Sequence, residues 1–185
     1  MDIELKKTIH ACVGASVPCI AISTTETAEV IKQVTEYAFR HTQNNQLSGL
    51  KTRRRVLVWR ESVGFEEYAI YAKNETGEEV IVDNLAPTAT DYKSKKIPGV
   101  TISSPNKNVM GSNVPFAVQY MSEYQPDEEG RGAIFVLRDW HRFINANADH
   151  VDRQLALLED LMKGPEKTVI LLSPGVWDSN SIPIE

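Results

Sequence analysis

Apolar residues fall along this chain in two rhythms. Short unbroken runs alternate with longer stretches in which an apolar residue returns every third or fourth position. The runs are Cys19-Ile20-Ala21-Ile22-Ser23, Arg55-Val56-Leu57-Val58-Trp59, Ala133-Ile134-Phe135-Val136-Leu137 and Thr168-Val169-Ile170-Leu171-Leu172-Ser173. Runs of this length and composition predict strands, and those apolar throughout predict strands covered on both faces. Between them, helical spacing occurs at Ile3, Leu5, Ile9 and Val13, ended by Pro18. It returns at Val30, Ile31, Val34, Tyr37 and Ala38, where the capping-box spacing of Ser23 and Glu26 predicts the helix start. A further stripe runs through Phe116, Ala117, Tyr120, Met121 and Tyr124, with Pro115 suited to the first turn and Pro126 and Gly130 closing it. Another is predicted after a cap at Asn147 or Asp149, with Val151, Leu155, Leu158 and Met162 facing inward and Gly164-Pro165 ending it.

Tyr68-Ala69-Ile70-Tyr71 and Val80-Ile81-Val82 flank Asn74-Glu75-Thr76-Gly77 and predict a β-hairpin. Residues 84–112 show little periodicity and read as an irregular excursion, with a short strand around Val100-Thr101-Ile102. Strands alternating with helices predict an α/β fold: a mostly parallel sheet with helices on both faces. The 185 residues suit a single domain over 1–185, with 65–112 as an insertion within it.

The net charge of −5 disfavours general attraction to nucleic acid or an anionic membrane. No stretch approaches the ~20 apolar residues of a membrane helix. The start, Met1-Asp2-Ile3-Glu4-Leu5, is acidic where a signal peptide is basic, so the expectation is a cytoplasmic protein. Cys12 and Cys19 have no second ligand cluster and read as small core residues; no metal site is expected.

In open α/β sheets, function gathers at the carboxyl ends of the strands. Four ends stand out: Ser23-Thr24, Arg60-Glu61, Asp139-Trp140-His141 and Ser173-Pro174. The strand ending in Asp139 resembles the Walker B strand of P-loop ATPases, in which an aspartate helps hold magnesium, and Ser173 falls where such proteins place a polar sensor residue. The phosphate cradle of those proteins needs a glycine-rich turn and a lysine. The first strand is instead followed by Thr24-Thr25-Glu26-Thr27, with neither glycine nor lysine, and Glu26 repels phosphate. Trp140 follows Asp139 where hydrolysis would call for a glutamate to polarise water, so no catalytic residue is assigned. Ser23, Thr24, Asp139, His141 and Ser173 remain as binding or structural positions. Asp139 suits a side-chain cap of its turn, and His141 a hydrogen-bonded histidine at the sheet's edge. A hydrolase built on Asp139 and His141 would lack the GxSxG elbow. Lys51, Arg53, Arg54 and Arg55 form one basic cluster, and Lys93, Lys95 and Lys96 another. With Trp59 and Tyr92 nearby they offer an alternative reading as a stand-alone nucleic-acid-binding module.

The order of pieces resembles the N-terminal domain of a group of AAA+ ATPases, first noted as a conserved plastid and cyanobacterial reading frame and found also in bacteria and phages. The resembling segments are 18–26, then Val56-Leu57-Val58-Trp59 with Gly64, then Ala133 through Phe143 with its Asp139-Trp140-His141 signature, and finally 167–174 with Ile182-Pro183. The resemblance implies a degenerate P-loop NTPase (RecA-like) domain preceding a working AAA+ module beyond residue 185. It implies no cofactor in this chain, with ATP and magnesium held by that module. It also implies a ring-forming homo-oligomer as parent and a docking role toward a protein substrate, a partner or sibling subunits.

Overall fold

β6 (Ala133–Arg138) owes its unbroken apolar run to its position, between two parallel neighbours. On one side lies β2 (Arg55–Arg60) and on the other β7 (Lys167–Ser173), which in turn pairs in parallel with β1 (Cys19–Ser23). The computed structural model describes residues 3–15, 17, 19–46, 54–61, 63–73, 76–77, 79–81, 92–101, 114–125, 132–144 and 167–174. Among the described residues the sheet has seven strands in the order β1-β7-β6-β2-β3-β4, where β3 is Gly64–Lys73 and β4 is Glu79–Ile81; β5 (Tyr92–Thr101) also pairs β3. The parallel block β1-β7-β6-β2 is extended antiparallel from β2 onward. This is the α/β architecture expected from the sequence, and it is consistent with a P-loop-like domain.

Alternation along the strands sorts the core into two layers. Leu57, Trp59, Phe135, Leu137, Val169 and Leu171 face helix α3 (Val114–Glu123), which contributes Val114, Ala117, Val118 and Met121. Val56, Val58, Ile134, Val136, Ile170 and Leu172 face the other way. They meet Ile9 and Val13 of α1 (Ile3–Gly14) and Val30, Ile31, Val34 and Ala38 of α2 (Thr27–Gln46). Helices therefore cover both faces, and fully apolar strands are the consequence. Gly14 lies so close to α2 that a methyl group in its place would stand 2.6 Å from the Tyr37 hydroxyl. Across the sheet's other face, Lys167 at the start of β7 donates to the carbonyls of Met121 (3.1 Å) and Ser122 (2.8 Å). It thereby satisfies carbonyls that the end of α3 leaves without helical partners. Burial there lowers the Lys167 pKa.

Three expectations change. The helix after β1 starts at Thr27 rather than within the Ser23–Glu26 box: Thr24 Oγ1 accepts the Glu26 N–H at 3.0 Å, and the Glu26 carbonyl accepts the first helical bonds from Glu29 and Val30. A hydroxyl that closes a two-residue turn is not free to cap the helix three residues on. The hairpin is present, with Tyr71 opposite Ile81 and Gly77 at φ 81°, but its first strand begins at Gly64 and runs back along β2. The short strand expected at 100–102 is instead the ten-residue β5, ending at Thr101. Its Lys-Ser-Lys-Lys-Ile-Pro-Gly composition hides it, because pairing to β3 holds it where an apolar pattern would not. The helix expected after Asn147 or Asp149, residues 84–91 and 102–112, and the tail from 175 lie outside the described residues.

Candidate functional site

The carboxyl ends of the four parallel strands form one edge, and the fold brings the predicted positions together there. Ser23 and Ser173 are direct register partners on β1 and β7. Ser23 is exposed, whereas Ser173 is buried. Just beyond the pairing, the Thr24 N–H donates to the Ser173 carbonyl at 2.7 Å, and the Asp139 N–H donates to the Leu172 carbonyl at 2.9 Å. The ends of β1, β7 and β6 are thus tied by backbone hydrogen bonds, with β7 between the other two.

These bonds decide what the edge can offer a ligand. In a phosphate cradle the loop's N–H groups converge on the phosphate. Here the Thr24 N–H goes to Ser173 and the Glu26 N–H goes to the Thr24 hydroxyl. Glu26 itself stands exposed at the start of α2. No lysine occurs in the β1–α2 connection. Two donors are directed inward, and the nearest charge carries the wrong sign for a triphosphate.

Asp139 sits in the left-handed region, φ 57°, alone among the described non-glycine residues. Aspartate tolerates this conformation better than most side chains. Its carbonyl accepts the Arg142 N–H at 3.2 Å, closing the turn into the short helix α4 (His141–Ile144). The turn separates the three residues of the signature. Asp139 and His141 stay partly exposed at the edge, while Trp140 is fully buried against Trp59. Among the described residues no three histidine, cysteine, aspartate or glutamate side chains gather as a metal site.

The basic clusters are placed differently from each other. The Arg55 guanidinium forks onto Glu67, Nε to Oε1 at 3.1 Å and Nη2 to Oε2 at 2.8 Å. The hydrogen bond to Glu67 raises the Arg55 pKa against the opposing effect of burial. Arg54 Nη1 donates to the Thr168 hydroxyl at 3.1 Å. Lys95 and Lys96 lie on β5 at the register positions opposite Glu67 and Glu66. The acidic pair on β3 therefore stands between the two clusters, a counter-charge that sequence reading passed over. Glu66-Glu67 lies in a strand whose neighbours β2 and β5 both carry basic residues, a pairing that local sequence pattern does not report. Arg53 lies outside the described residues.

Strand order, cradle-less edge and Asp-Trp-His turn agree with a relationship found across almost the whole length: the family model for the SpoVK-like AAA ATPase, N-terminal domain, matches residues 5–183. The chain belongs to this family. Among curated proteins and among solved structures, no match was found. Within the SpoVK-like N-terminal domain, the matched span takes in the four parallel strands and the edge just described, together with β3, β4 and β5. No helix among the described residues is long and apolar enough to cross a membrane.

Proposed function

We propose that this chain is a non-catalytic accessory domain of an AAA+ ATPase, one that docks a protein substrate, a partner or sibling subunits while a following module hydrolyses ATP. The observation that carries this reading is the β1–α2 connection. It has the position of a phosphate cradle, but its Thr24 and Glu26 N–H groups serve Ser173 and Thr24, and Glu26 replaces the cation. Membership in a family of AAA ATPase N-terminal domains supports a parent that is an ATPase. In that parent, ATP and magnesium belong to the module beyond residue 185, and a ring of subunits is the expected assembly. The plastid and cyanobacterial group remains the proposed branch.

The reading frame past residue 185 tests this. A GxxxxGK[ST] motif is expected there, and replacing its lysine by alanine removes all ATP hydrolysis from the parent protein. Hydrolysis surviving that change, or a frame without the motif, contradicts the proposal.

A further inference from the structure

Arg60 and Arg138 are the last residues of β2 and β6, two parallel neighbours whose register runs through Trp59 opposite Leu137. The next step along both strands places the two arginines side by side, about 4.8 Å apart in strand spacing. Alternation puts both on the α2 side, continuing the rows Val56-Val58 and Ile134-Val136. Two like charges in adjacent register positions repel unless something offsets them. Glu66 does so for Arg60 alone, 2.6 Å from its Nη2.

The remaining donors are unspent. The Nε atoms of Arg60 and Arg138 are both buried without a hydrogen-bond partner. No hydrogen bond or ion pair holds the Arg138 guanidinium among the described residues. Arg142, the other arginine of this edge, is exposed and pairs with Glu61 at 3.7 Å. A guanidinium left without an acceptor is costly, and a ligand that supplies one to the partly exposed Arg138 head recovers part of that cost. Stems packed along apolar rows with heads at the rim also limit the side-chain entropy lost on binding.

We infer that Arg60 and Arg138 form a clasp for a carboxylate presented by a protein partner. This rests on the docking reading above and names the chemistry of the docked group. A carboxylate fits better than a polyphosphate for a reason of charge. Glu66 already pairs with Arg60, and Glu26, Glu61 and Asp139 lie along the same carboxyl edge of the sheet. One further negative charge is acceptable there, gripped by a planar fork, whereas three or four are not.

The test uses the chain as it stands, with hexaglutamate as probe and the arginine Nε–H resonances as readout. Hexaglutamate at millimolar concentration and low salt is expected to shift the Arg60 and Arg138 signals, whereas hexaglutamine shifts neither. Arg138→Gln weakens binding by about tenfold or more, and Arg142→Gln leaves it unchanged. Arg138→Lys, which keeps the charge and loses the fork, folds and binds at an intermediate level. That variant decides the matter if Arg138→Gln does not fold. Absence of any shift, wild-type binding by the Arg138 variants, or tighter binding of tripolyphosphate at the same arginines overturns the clasp. Those outcomes leave the docking reading standing, since that reading is tested separately, by nucleotide binding or hydrolysis in this chain and by the reading frame past residue 185.

Discussion

Trp140 meets Trp59 nearly edge-on, with ring centroids 5.1 Å apart and planes inclined at 75°. Both side chains are fully buried, one from the turn after β6 and one from the end of β2. The pair fastens the candidate edge to the α3-side core, because Trp140 lies between Asp139 and His141. Trp140→Ala is expected to cost about 3–5 kcal/mol in urea unfolding, and Trp140→Phe considerably less. A cost under about 1 kcal/mol for the alanine variant would show that this turn is held by other contacts.

The backbone at Asp139 makes a separate prediction. At φ 57°, Asp139→Gly relieves conformational strain while removing the carboxylate, so the fold should lose little. Asp139→Val keeps a side chain of similar size but cannot adopt this conformation cheaply, and should cost about 1–2 kcal/mol or more. Equal losses for the two would mean that the carboxylate, rather than the backbone geometry, stabilises the turn.

The Arg55–Glu67 fork is half-buried, with side-chain exposures of 21% and 13%, so water screens it less than a surface pair. Glu67→Gln keeps the shape and removes the charge; a loss of about 1–3 kcal/mol is expected. The loss should shrink when Arg55→Met is already present, because the guanidinium then no longer needs a counter-charge. Strict additivity in that double-mutant cycle would contradict the pairing.

Cys19 carries a pH dependence. Burial pushes its thiol up to about 11, because the thiolate would lose its water against the α3-side core. In the unfolded chain the same thiol ionises near 8.5. Between those values the unfolded state binds fewer protons than the native state, so stability falls as pH rises from about 8.5 toward 11. Cys19→Ala should flatten this part of the pH–stability curve. Alkylation at pH 8 should modify Cys19 far more slowly in the folded chain than in urea; equal rates would be inconsistent with burial.

Most of the parallel block was legible because β2, β6 and β7 are buried on both faces, which leaves unbroken apolar runs such as Ala133–Leu137; β1, at the sheet's edge, is only partly buried. The two basic strands beside Glu66-Glu67 were harder to read. β5 is built from Tyr92-Lys93-Ser94-Lys95-Lys96 and owes its strand to pairing along β3, a contact between residues some thirty apart that local pattern cannot report. α2 starts a few residues later than the capping-box spacing predicts, because the Thr24 hydroxyl closes a turn with the Glu26 N–H. At the edge, the gathering of Ser23, Thr24, Asp139, His141 and Ser173 followed from the parallel topology. The inward turn of Trp140 and the left-handed backbone of Asp139 did not, since both depend on how β6 ends against β2 and β7.

Whether this edge can seat a nucleotide separates an accessory domain from a catalytic one. Isothermal titration of the 185-residue chain with ATP and excess magnesium measures that directly. No heat of binding above dilution is expected up to millimolar nucleotide. Micromolar affinity, lost on changing Thr24 or Asp139, would contradict the accessory reading.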